Sequence, residues 1–167
     1  MKKLLVVFLI IFFSVLPCFA QYKPIPKELS SQYKAEMEQI IDNGYPIAIK
    51  NVDEYFLEAN KYYQEILKGG YNYINHVNIV NLSEICIPAA ELELYADLMK
   101  VTQEKYLNIT YKGIGTDNIN PFYDYLYPYF SANNVNTEKL KAITKYEKEK
   151  IQILKTYIEE IEKLSSN

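Results

Sequence analysis

Apolar residues recur at helical spacing along most of this chain. Between Asn51 and Lys68 they fall at steps of four, three, four and three, at Val52, Phe56, Ala59, Tyr63 and Ile66. That spacing places them on one face of a helix. The capping pattern of Asn followed three residues later by Glu predicts that this helix begins at Asn51. A following Gly-Gly pair predicts its end, because glycine readily adopts the left-handed conformation of a C-terminal cap.

A second apolar segment, residues 71–87, follows the glycines directly. Its apolar positions surround much of the helix, which is typical of a deeply buried helix. Two helices joined by so short a turn pack antiparallel. The sequence therefore predicts a helical hairpin over residues 51–87 at the centre of the fold.

Further amphipathic segments flank this hairpin. An earlier helix is predicted to stop at Asn43-Gly44, which leaves residues 45–49 as an apolar connector. Pro88 predicts the first turn of a helix that reaches about Leu107. A short helix over 122–130, disturbed by Pro128, and a last helix over about 137–164 complete the pattern. We expect an all-α, single-domain bundle of about five or six helices.

The first 20 residues have the pattern of a signal peptide. Lys2 and Lys3 precede an unbroken apolar run, and Cys18 and Ala20 occupy the small-residue positions of a cleavage site. The run is shorter than the roughly 20 residues of a spanning helix, which favours cleavage over a retained anchor. Lipidation at Cys18 is a further alternative. We expect a signal peptide over 1–20, a helical domain over 21–167, and a secreted or periplasmic protein without a further membrane span.

Charge and cysteine content narrow the classes of function. Removing Lys2 and Lys3 changes the net charge from −3 to −5, which disfavours nucleic acid as a partner. The chain contains no arginine, so it has no guanidinium group for bidentate recognition of carboxylate or phosphate. Cys86 is the only cysteine beyond the predicted cleavage site, which excludes an internal disulfide and favours a buried apolar role.

The clearest candidate binding surface is aromatic. Six of the nine residues 122–130 are aromatic, and they cannot all share one face of a helix: Phe122, Tyr123, Tyr125, Tyr127, Tyr129 and Phe130. Tyrosine offers apolar area and a hydroxyl group, which suits contact with a peptide, protein or glycan. The alternative is that these residues wrap a small core.

Two short segments resemble known families. Ala59, Tyr63 and Ile66, followed by Gly70 and Tyr71, resemble the second helix of a tetratricopeptide repeat (TPR), which implies helix pairs and a peptide-binding adaptor. Residues 113–117, Gly-Ile-Gly-Thr-Asp, are similar to the calcium loop of annexins. That resemblance implies calcium bound by loop carbonyl groups and a distant carboxylate such as Glu159 or Glu160.

Motifs for catalysis are weaker. His76 is the only histidine, and no serine or cysteine pairs with it in a nucleophile motif. A metal site there would need carboxylates such as Glu84, Glu91 or Asp97 to converge on it. We expect no cofactor and no metal. We expect a non-enzymatic protein-binding or envelope-associated domain, and the sequence does not indicate its oligomeric state. The alternatives are a TPR-like adaptor and a secreted enzyme that uses acidic residues and His76.

Overall fold

A computed structural model describes residues 23–113 and 120–165, with side chains of residues 120–122 left out of the description. A 3₁₀ turn at Lys27–Leu29 precedes five α-helices, and the described residues contain no strand. The helices are α1 (Ser30–Gly69), α2 (Tyr73–Asn81), α3 (Leu92–Val101), α4 (Asn120–Ala132) and α5 (Glu138–Ser165). The prediction of an all-α helical bundle is confirmed. The predicted signal peptide, residues 1–20, lies outside the described residues.

Helix α1 is the longest described element and corrects three predictions. It continues without a break for 40 residues, so the predicted stop at Asn43-Gly44 and the connector over 45–49 are wrong, as is the start at Asn51. Its buried side repeats steps of four, four and three residues: Tyr33, Met37, Ile41, Gly44, Ala48, Val52, Tyr55, Ala59, Tyr63 and Ile66. Gly44 occupies a place in this stripe because α3 packs closely there. A Cβ atom at residue 44 would lie 2.6 Å from Leu94 Cδ1.

The Gly69-Gly70 turn is confirmed, and the chain then runs back along α1. Gly70 has a φ of 85°, and its amide donates to the Ile66 carbonyl group. We call residues 73–107 the return arm. As residue numbers rise along the return arm, the numbers of its hydrogen-bond partners on α1 fall, from Asn75 with Glu65 to Lys105 with Glu36. The return arm and α1 are therefore antiparallel.

The return arm is not one regular helix. Two π-helical turns interrupt it, at Leu82–Cys86 and Thr102–Tyr106. The Ile87 amide donates to the Leu82 carbonyl group, five residues back, immediately before Pro88. Proline cannot donate to the carbonyl group four residues before it, so the helix widens there. Residues 87–91 form a turn, and α3 begins at Leu92 rather than at the predicted Pro88.

Helix α5 packs parallel to α1. Its partners on α1 rise with its own numbering, from Lys139 with Asp42, through Tyr146 with Asp53, to Tyr157 with Asn60. The rings of Tyr63 and Tyr157 stack 3.9 Å apart along this seam. Helix α4 connects the return arm to α5 and passes through Pro128 without a break, contrary to prediction. The result is an up-down-up bundle closed at one end by α4.

The bundle has two apolar cores in succession. One surrounds Met37, Leu98 and Leu140, and the other surrounds Val52, Ile79 and Leu154. Within the parts described, no helix combines the length and apolar character needed to cross a bilayer.

Candidate functional site

A groove lies between the return arm and α5, and its lining residues do not come from α1. Its volume is about 1560 Å³, and its lining residues come from the return arm, from Tyr123 and Asp124 of α4, and from α5. The α5 residues run from Lys141 to Thr156. At 1.5 Å per residue the groove therefore extends for about 22 Å along that helix.

Apolar side chains line much of this groove and remain accessible. Ile85 of the return arm is 62% exposed, and Ile153 of α5 is 40% exposed. Both line the groove, together with Pro88, Leu92 and Ile151. Large aliphatic side chains held at a concave surface are typical of a contact site rather than of an ordinary solvated face.

Two buried carboxyl groups lie among these apolar residues. Glu91 is 5% exposed and Glu147 is 6% exposed, and both line the groove. Neither Glu91 Oε2 nor Glu147 Oε1 has a hydrogen-bond partner among the described residues. We call these two residues the carboxyl pair. A buried polar atom without a partner costs about 1–3 kcal/mol, more when charged, so such a pair demands an explanation.

Local structure places Glu91 in the groove wall. Glu91 is the last residue of the turn that follows Pro88, directly before α3. Asn51 of α1 donates to the Ala90 carbonyl group at 3.4 Å, which ties this turn to α1. The Glu91 carbonyl group accepts from the Tyr95 amide and so begins α3. The π-helical turn and the proline together therefore direct this side chain away from the regular helical positions.

Glu147 owes its burial to the periodicity of α5. It lies seven residues after Leu140 and seven before Leu154, so it occupies the buried stripe of an otherwise apolar face. Ile143, four residues before it, belongs to one core, and Leu154 belongs to the other. On the return arm, Glu91 lies between Ala90 and Leu94. Leu94 belongs to the same core as Ile143, and Ala90 belongs to the same core as Leu154. The carboxyl pair therefore marks the level at which the two cores meet.

The electrostatics of the pair follow from burial. Burial raises the pKa of Glu91 to about 7. Burial and the neighbouring Glu91 raise the pKa of Glu147 to about 9, against an opposing effect of Lys148. Burial, followed by the charge of Glu91, also raises the pKa of the Tyr95 hydroxyl group. The interacting pair therefore retains between one and two protons at neutral pH.

The lysines at the groove edge are engaged elsewhere or exposed. Lys141 pairs with Glu138 at 2.8 Å, and Lys145 pairs with Glu149 at 3.9 Å, both along α5. No ion pair from either lysine reaches the carboxyl pair. Lys148 also lines the groove, where it is exposed and opposes the rise in the pKa of Glu147, but it forms no ion pair with the carboxyl pair among the described residues.

The predicted aromatic residues are divided between the core and the surface. Tyr129 and Phe130 are buried in the core around Met37, Tyr123 and Tyr125 are partly buried, and Tyr127 is 51% exposed. The structure gives no description of the Phe122 side chain. Of the members of this group whose side chains are described, only Tyr123 lines the groove. The six residues therefore do not form one continuous exposed surface among those described.

Among the other predicted sites, His76 is not one of the groove residues. His76 lies near the Gly-Gly turn, with its Nδ1 3.4 Å from the Tyr71 hydroxyl group. In the described parts of the chain, no three His, Cys, Asp or Glu side chains are grouped as metal ligands. Of the annexin-like loop, Gly113 has a φ of 85°, and residues 114–117 lie outside the described residues. Sequence reasoning named Glu91 only as a possible partner of His76 and missed Glu147.

Comparison with protein-family models, with curated proteins and with solved structures finds no match for this chain.

Proposed function

We propose that this protein is an exported, non-enzymatic binding domain whose groove receives a segment of another polypeptide. The observation that carries the proposal is the groove between the return arm and α5, which is lined by the buried carboxyl pair, each member with one oxygen that has no hydrogen-bond partner among the described residues. Binding would remove Ile85 and Ile153 from water, and each buried aliphatic side chain of this size contributes about 1.5–3 kcal/mol.

The size of the groove favours a polymer over a small molecule. Its 1560 Å³ exceeds the roughly 300–1,000 Å³ of a typical small-molecule pocket. A groove of about 22 Å matches six or seven residues of extended chain, or four turns of helix. The aliphatic lining suits amino-acid side chains, and its acidic base suits a basic side chain among them.

Site-specific photocrosslinking in cells tests this proposal. A benzoylphenylalanine residue at position 85 or 153 is expected to capture a defined peptide of another protein, identified by mass spectrometry. The matched control is Leu57, which is 63% exposed on α1 and outside the groove. Products from positions 85 and 153 that match those from position 57, or no products, would contradict the proposal.

The two alternatives have less support. A TPR-like adaptor would use Ala59 and Tyr63 in the second helix of a short pair, whereas these residues lie within the 40-residue α1. An enzyme that combines acidic residues with His76 would need them together, and His76 is not among the groove residues.

A further inference from the structure

We infer that Glu91 and Glu147 together bind the ammonium group of a lysine side chain presented by the polypeptide in the groove. This inference rests on the proposed function, because it names the side chain that the groove recognises.

Geometry and burial support this assignment. Both residues line the same groove, both are more than nine-tenths buried, and each keeps an oxygen without a hydrogen-bond partner among the described residues. Carboxyl oxygens accept hydrogen bonds, and an ammonium group carries three donors and no acceptor. The charge of Glu91 acts on Glu147, so the two carboxyl groups are neighbours, and one ammonium group has enough donors for both. A ligand carboxylate would instead add a third acidic group to the pair.

Charged groups around the pair favour a cation from outside. The return arm and α4 contribute acidic groups or tyrosines at the groove: Glu84, Tyr95, Tyr123 and Asp124. Helix α5 contributes Glu149 and three lysines, Lys141, Lys145 and Lys148, and these lysines have partners on their own helix or lie exposed. A lysine ammonium group is a compact point charge with three rotatable donors, which can be shared between two carboxyl groups.

Binding is coupled to proton release. In the free protein the pair retains at least one proton at neutral pH, as burial requires. An ammonium group stabilises the ionised carboxylates, so a carboxyl proton passes to the buffer as the N–H···O hydrogen bonds form. No covalent bond is made or broken apart from that O–H bond. Affinity therefore rises with pH until the ammonium group itself loses its proton, near pH 10.

The test uses n-butylammonium chloride as the probe and ¹³C-labelled glutamate carboxyl groups as the readout. The full chain is titrated from pH 5 to pH 9.5 with n-butylammonium chloride, with sodium chloride at equal ionic strength, or with n-butanol. Glu91→Gln and Glu147→Gln assign the two signals, and amide spectra verify that each variant is folded. At ten times the dissociation constant of the probe, we expect the midpoints of the pair to fall by about one pH unit.

Equal midpoints in n-butylammonium chloride and sodium chloride would overturn the assignment. An equal effect in the Glu91→Gln/Glu147→Gln variant would also overturn it, whereas an unchanged effect is expected in Glu54→Gln, because Glu54 is exposed on α1 and outside the groove. The proposed function fails separately. Crosslinks from positions 85 and 153 without any ammonium effect would keep the polypeptide groove and remove the lysine assignment. An ammonium effect without crosslinks would assign the pair to a free amine and remove the polypeptide.

Discussion

Replacing Glu147 with glutamine should change the pH dependence of stability. The carboxyl group of Glu147 has a native pKa of about 9, against an ordinary value of 4.5, chiefly because it is buried. The folded chain therefore binds more protons than the unfolded chain between these values. The contribution of Glu147 to stability is fully present below pH 4.5 and declines as the pH rises towards 9. The decline is about 1.4 kcal/mol per pH unit, which amounts to about 3 kcal/mol at pH 7.

Glutamine keeps the shape of Glu147 and has no proton to lose. We expect Glu147→Gln to match the wild type near pH 4.5 and to exceed its free energy of unfolding by about 2–3 kcal/mol at pH 7. Urea unfolding followed by circular dichroism, at constant ionic strength and half-unit pH steps, measures the difference. Glu149→Gln is the control, since its side chain is exposed and paired with Lys145. A difference between Glu147→Gln and wild type that stays constant from pH 4.5 to 8 would refute the reasoning.

Five further substitutions test the packing. Gly44→Ala should lower the free energy of unfolding by about 1 kcal/mol, because overpacking against α3 outweighs the gain in helix propensity. Gly69→Ala is the control and should not lower it, because the space around Gly69 is open. Equal effects of the two substitutions in urea unfolding would contradict this prediction. Tyr33→Phe should cost about 1–2 kcal/mol, because the buried hydroxyl group bonds a threonine at 3.0 Å, and a thermal transition unchanged from wild type would count against that bond. Tyr129→Ser should cost about 3 kcal/mol and Tyr127→Ser less than about 0.5, and the reverse order would show that the burial of α4 is misassigned.

The fold class and the Gly-Gly hairpin could be predicted from the sequence, but the length of α1 could not be predicted from local signals. Asn43-Gly44 and Pro46 are ordinary helix-ending signals, and a proline within a helix costs about 3 kcal/mol. They are overridden because the buried stripe continues through them, with Gly44 in register between Ile41 and Ala48. Reading that four-four-three stripe from Tyr33 to Ile66 would have predicted the single helix.

The two members of the carboxyl pair differ in how far the sequence alone indicates their burial. Glu147 interrupts an apolar stripe between Ile143 and Leu154, and a charged residue in such a position is a sequence signal for a buried carboxyl group. Glu91 has no comparable signal, because its direction depends on the turn after Pro88 and the π-helical turn before it. That the two residues line one groove follows from the packing of the return arm beside α5.

The aromatic run shows the limit of composition. Six aromatic residues in nine predict a contact surface or a core, and the spacing alone does not choose between them. In the structure, Tyr129 and Phe130 contribute to the core while Tyr127 remains exposed. Tyr129 and Phe130 lie on the face of α4 that packs against the bundle, whereas Tyr127 does not.

Crosslinking from position 153 in two backgrounds tests the central claim most directly. Benzoylphenylalanine at position 153 lies at the groove, and the carboxyl pair can be neutralised beside it by Glu91→Gln/Glu147→Gln. We predict that the wild-type background captures a lysine-containing peptide, and that the double variant captures it at least about tenfold less, equivalent to 1.4 kcal/mol. Equal capture in both backgrounds, or a captured peptide without lysine, would contradict the account.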